Sequence, residues 1–92
     1  VGLGLVIDSR PIHGLMHPEG AHIQSQRYVG DEYLGCCPFH RACIEGMACA
    51  KAVADRLNLH PSTLHTVDHD HPVWKIQTYY IAQLCVGIIC LT

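Results

Sequence analysis

Charge is scarce in this chain. Six Lys and Arg against eight Asp and Glu make 15% of its 92 residues, with a formal net charge of −2. That share is well below the ~25% of ordinary domains. No basic patch can be assembled from six cations that would hold nucleic acid or an anionic membrane surface. A surface so poor in charge suggests that part of it expects to be covered. Aromatics are few (7%), and long hydrophobic runs are absent. The longest, Tyr79–Leu91, is interrupted by Gln83 and falls short of the ~20 residues a spanning helix requires. The opening VGLGLVIDSR has no basic stretch ahead of an apolar core, so no export signal is read there. The chain is therefore expected to be soluble and cytoplasmic. At 49% hydrophobic it is no disordered tail, and its length suits one small domain or a piece of a larger one.

What the chain has in unusual amount is six cysteines and eight histidines. Three disulfides would suit a short secreted protein, but the missing export signal and the mixing of cysteine with histidine favour reduced thiols and a metal.

Val1–Asp8 reads as a strand entering a turn at Asp8–Pro11, and Ile12–Met16 as the return strand of a hairpin spanning 1–16. Asp8 is a turn residue, not a catalytic base. Residues 17–43 form a stretch too long to lie unsupported, and a metal would tie it down. Helical spacing of Ile44, Met47, Cys49, Val53 and Leu57 predicts one helix over Ala42–Leu59, ended by His60-Pro61-Ser62. Thr63–His71 is a polar connector. A second helix covers 72–92, with Pro72 at its first position and Asp70 or His71 as cap. It is apolar almost all round in its last turns, as buried helices are. One hairpin and one other helix offer little to bury it against, so the chain is expected to be a fragment or to self-associate through residues 79–91.

Cys37-Pro-Phe-His40-Arg-Ala-Cys43 is a C-x-x-H-x-x-C run. Ligands three apart in a turn entering a helix can converge on one zinc ion, and thiolate and imidazole are the right donors. A fourth ligand must come from elsewhere, and His22 is the candidate. Cys36 rivals Cys37, since adjacent side chains point different ways. The competing reading is two buried free thiols and a surface histidine. Asp68-His-Asp-His71 could also take a metal, but a solvated connector capping the second helix is the simpler reading.

Three blocks, His13–His22 (HGLMHPEGAH), Gly35–Gly46 (GCCPFHRACIEG) and His71–Gln83 (HPVWKIQTYYIAQ), resemble in order and spacing the bacterial fructokinases of the ROK family (repressors, open reading frames, kinases). The resemblance implies an α/β fold, a fragment of the actin-like, ribonuclease H-like ATPase lobe that closes on sugar and ATP. It implies that Glu19 and His22 bind sugar hydroxyls, and that His22, Cys37, His40 and Cys43 hold zinc. ATP and magnesium serve the intact family, and the substrate is a fructose-like hexose. Departures accompany it. No D-x-G-G-T phosphate loop and no base aspartate occur in these 92 residues. A glycine-rich nucleotide run survives only as Val1-Gly-Leu-Gly-Leu5. The E-x-G-H glycine is Ala21, and where A-S-G-P is usual the chain has Ala48-Cys-Ala-Lys51. The resulting expectation is a fructokinase-like zinc-binding fragment, inactive alone. The alternative is a small zinc-stabilised interaction module that dimerises through its C-terminal helix.

Overall fold

The computed structural model describes residues 1–14 and 19–91. Its elements are two strands, β1 (Leu5–Ile7) and β2 (Arg10–Ile12), then helices α1 (Ile44–Ala48), α2 (Ala50–Arg56) and α3 (Val73–Leu91), with a 3-10 helix at Pro61–Thr66 between the last two. β1 and β2 pair antiparallel with Leu5 opposite Ile12 and Ile7 opposite Arg10. The hairpin is shorter than expected and turns more tightly. Asp8 and Ser9 both have positive φ (51° and 61°), the pair of left-handed residues that a two-residue hairpin of this twist demands. Asp8 is thus a turn residue, as expected. The expected return strand extended to Met16, and its end, with the start of the 17–43 loop, lies outside the described residues.

The single helix expected over Ala42–Leu59 is two helices. Its start is delayed because Ile44 N–H donates to Ile23 O (2.9 Å) and Cys43, extended, bridges Gln24 of the incoming loop. It breaks at Cys49, whose backbone is extended (φ −68°, ψ 168°). At the break the carbonyls of Met47 and Ala48 accept bonds from side chains instead, Arg56 Nη1 (2.8 Å) and Gln77 Nε2 (2.8 Å). Buried carbonyls need such partners, and long-range ones are invisible to helical periodicity. Asn58, left-handed at φ 54°, ends α2 ahead of His60-Pro61-Ser62.

Pro61–Thr66 gives the expected connector a short helix of its own. His60 caps it, its Nδ1 accepting the Ser62 N–H at 3.2 Å. His71 Nδ1 accepts the Val73 N–H at 3.0 Å and so caps α3, while the Trp74 indole N–H donates to Asp68 O at 2.9 Å.

The core lies where α3 crosses α1. Ala21, Ile44, Met47, Ala48, Tyr80 and Leu84 form it. Val73, Tyr80 and Leu84 are buried, and Ile76 and Ile88 pack half-buried on the same stripe of α3. The opposite face and the last turns are open, with Val86, Ile89 and Leu91 exposed. The burial expected of so apolar a helix is therefore met on one stripe only. The radius of gyration, 14.0 Å, exceeds the about 12 Å of a compact chain this size, as a projecting helix end requires. Among the described residues no helix is long and apolar enough to cross a membrane.

A buried ion pair pins the loop to the helices. Arg56 donates to Asp31 through Nε (3.1 Å) and Nη2 (2.9 Å), and the Tyr80 hydroxyl donates to the same carboxylate at 2.7 Å. Tyr28 N–H donates to the Tyr80 oxygen at 3.0 Å. Burial works to raise the Asp31 pKa, but the bonds from Arg56 and Tyr80 outweigh it and hold the carboxyl below its usual value.

Candidate metal centre

Residues 37–43 fold into a tight knuckle. Arg41 N–H donates to Cys37 O (2.9 Å) and Cys37 N–H to Arg41 O (3.3 Å), with Arg41 at a positive φ of 56°. Two glycines make room for it. A side chain at Gly35 (φ 94°) or at Gly46 would collide with the Arg41 carbonyl. The knuckle projects Cys37, His40 and Cys43 toward one point. The second strand of the site is the turn at Glu19–His22, closed by His22 N–H on Glu19 O (3.0 Å) and laid against α1 by Glu45 N–H on Ala21 O (3.0 Å). Ala21 is fully buried in the core, so the methyl that replaces a glycine here fills space.

Four donor atoms meet. His22 Nδ1 lies 3.5 Å from Cys37 Sγ, 3.4 Å from His40 Nδ1 and 3.8 Å from Cys43 Sγ, and Cys37 Sγ lies 3.9 Å from His40 Nδ1. All four atoms fall within 4.8 Å of one another. A tetrahedral ion held at about 2.0–2.3 Å has edges of about 3.3–3.8 Å; the three distances from His22 Nδ1 lie in that range, and the group as a whole, within 4.8 Å, is wider. Cys37 and Cys43 are buried, His22 is half-buried and His40 exposed. Burial works against the Cys37 thiolate, yet the backbone N–H groups of His40 and Phe39, then Cys43 and His22, stabilise it and bring its pKa down to about 6. Burial pushes the neighbouring Cys43 thiol up. The two buried thiols and a surface histidine of the competing reading do not describe this convergence. His22, Cys37, His40 and Cys43 can hold a metal ion.

Cys36 stands outside that group, its Sγ 3.3 Å from Cys49 Sγ. Asp68–His71 forms no metal-competent cluster among the described residues. Asp68 Oδ1 accepts the Asp70 N–H at 3.0 Å and His71 caps α3, the connector reading.

Glu19 stands beside the cage. Its side chain is half open (53%), but it is paired: Oε2 lies 2.9 Å from His22 Nε2, on the far side of the ring from the cage. A carboxylate on one ring nitrogen leaves the other as the lone-pair donor and sets the ring's orientation. Beside this pair an open depression of about 530 Å³ is lined by Glu19, His22, Phe39 and His40. Phe39, 82% exposed between two cage residues, had no signal in the sequence.

The family model described as "ROK family" matches residues 1–92. A putative fructokinase of Bacillus subtilis (strain 168) is 37% identical over 99% of this chain and 29% of its own length. A fructokinase of Pediococcus pentosaceus is 36% identical over 96% of the chain and 30% of its own. A fructokinase of Zymomonas mobilis subsp. mobilis is 46% identical over a shorter stretch, 60% of the chain. The chain spans about three-tenths of the length of the first two relatives. The three blocks, the knuckle they build and the match along the whole chain agree: this chain belongs to the ROK family.

Proposed function

We propose that this chain is the zinc-braced, sugar-facing part of the C-terminal lobe of a fructokinase-type kinase, working in the cytoplasm. The observation that carries the reading is the coupling of Glu19 to the cage through His22, at the rim of the open depression. Two sulfurs and two imidazole nitrogens are a common structural zinc set. Bound zinc would supply a fixed anchor for the knuckle and would leave the His22 proton on Nε2. From there the Glu19 carboxylate, oriented by the His22 Nε2–H that it accepts, has lone pairs left to accept a hydrogen bond from a hexose hydroxyl. The Phe39 ring forms an apolar wall to the same depression. Phosphoryl transfer requires cradled phosphates, magnesium and a base at the attacking hydroxyl. ATP and magnesium would have to be held by segments other than these, so the 92-residue chain alone does not turn over fructose.

Zinc analysis of chain never exposed to chelator, followed by an NMR titration with fructose, tests this. One zinc per chain, with shifts at 19–22 and 39–40 that vanish in Glu19→Gln, is the expected result. Absence of zinc from folded protein, or fructose shifts confined elsewhere, would refute it.

A second reading is favoured by the exposed Val86, Ile89 and Leu91: a zinc-stabilised module that self-associates through α3. Sedimentation across a concentration range decides it, a monomer throughout excluding the module.

A further inference from the structure

Cys36 and Cys49 have no part in the metal cage, yet their sulfurs lie 3.3 Å apart. The closeness is built into the backbone. Cys36 N–H donates to Gly46 O (3.0 Å), and Cys49 N–H donates to Glu45 O (3.2 Å), so both cysteines hang from neighbouring carbonyls of α1. The break at Cys49 takes this residue out of helical geometry (ψ 168°). A disulfide needs sulfurs at about 2.05 Å, a closure of a little over 1 Å from where they stand. Both residues are half-buried, and Cys36 lines an open depression of about 560 Å³ together with Tyr33, Gly35, Arg41 and Lys51. A small molecule therefore has a way in to Cys36, and the Cys49 sulfur lies 3.3 Å from it.

The geometry points to Cys36 and Cys49 as a thiol modification site, which takes a small-molecule disulfide of the glutathione type and closes to an intramolecular disulfide. Cys36, its proton lost to solvent, attacks one sulfur of glutathione disulfide. The glutathione S–S bond breaks and the first glutathione leaves as thiolate, to be protonated by solvent. Cys49, giving up its proton in turn, attacks the Cys36 sulfur of the mixed disulfide and expels the second glutathione. The protein loses two electrons and two protons, and one glutathione disulfide becomes two glutathiones. The new bond closes a ring over residues 36–49, which contains Cys37, His40 and Cys43. Oxidation at this site braces the knuckle without consuming a cage sulfur.

The test exposes the intact, metal-loaded chain to glutathione disulfide, blocks residual thiols by alkylation and maps tryptic peptides while metal content is measured in parallel. Cleavage at Arg27, Arg41 and Lys51 separates Cys36 and Cys37 (peptide 28–41) from Cys43 and Cys49 (peptide 42–51). The expected product is one linked pair of these peptides, lighter by two hydrogens than their sum, joined at Cys36 and Cys49, with metal per chain unchanged. Cys49→Ser is expected to stop at a glutathione adduct on Cys36. Three results on the wild-type chain would overturn the proposal, whatever the variant does: no link between the peptides, a stable glutathione adduct that never closes, or a Cys37–Cys43 link with loss of metal.

Discussion

Two polar clusters fasten the loop of residues 19–43 to the helices, and they differ in what completes them. Asp31, Arg56 and Tyr80 complete one another: the carboxylate receives the guanidinium through two nitrogens and the hydroxyl as well, and the guanidinium's third nitrogen takes the Met47 carbonyl. The cage is the reverse. Cys37, Cys43, His22 and His40 bring electron-rich atoms within 4.8 Å of one another and include no cation of their own. One cluster is finished by folding. The other has room for a metal ion to finish it.

The largest effect should come from the cage. Cys43→Ser, or chelation of the wild type, is expected to melt the cage segments, residues 19–22 and 37–43, while the Asp31–Arg56–Tyr80 cluster, α1 and α3 stay packed, because metal binding energy in such sites is largely folding energy. Hydrogen exchange resolves this: protection lost in the loop and kept in Tyr80–Leu84 is the expected pattern. Uniform loss would mean that the two clusters form one unit. Arg56→Met comes next. It leaves the Asp31 charge buried and unpaired, and about 3–5 kcal/mol of stability should go, measured by urea melts of metal-loaded protein. A loss below about 1 kcal/mol would demote this pair to the level of a surface contact.

The same comparison shows where the sequence is legible. Cys37, His40 and Cys43 announce themselves because their spacing is local, and His22 because its block lies just upstream. The choice of Cys37 over Cys36 was not legible. It depends on the knuckle and on Cys49 drawing Cys36 the other way. Asp31 and Arg56 are 25 residues apart and gave no pattern, and the break at Cys49 depends on carbonyl partners as distant as Gln77. α3 was legible in extent from Pro72 at its start and the apolar run that follows, but which stripe is covered depends on α1. Pairwise long-range polar contacts leave no period to read.

A smaller effect separates the clusters by pH. Burial works against the Asp31 carboxylate, but the bonds from Arg56 and Tyr80 hold its folded pKa below the ordinary aspartate value. Its contribution is therefore complete above the unfolded value and is lost as pH falls through the lower folded one. Asp31→Asn should flatten the acid limb of stability below about pH 4, read as the difference between the two proteins' acid titrations. An unchanged limb would mean that cage protonation alone governs acid unfolding. The smallest effect is Cys36→Ser, which should leave metal content at the wild-type level. Loss of metal would move Cys36 into the cage.

The position of Trp74 has an optical consequence. It is the chain's single tryptophan, and its indole is tied to Asp68 where the connector enters α3. Its emission therefore reports on that joint. Tyr28, by contrast, sits edge-on to Tyr79 with ring centres 5.3 Å apart, and Tyr79 is likewise edge-on to Tyr80 at 5.3 Å. The near-ultraviolet dichroism of this tyrosine row arises where the loop docks on α3. Trp74 also lines a depression together with Tyr28, so a melt should register release of the loop in both signals, and opening of the Asp68 joint in the tryptophan signal.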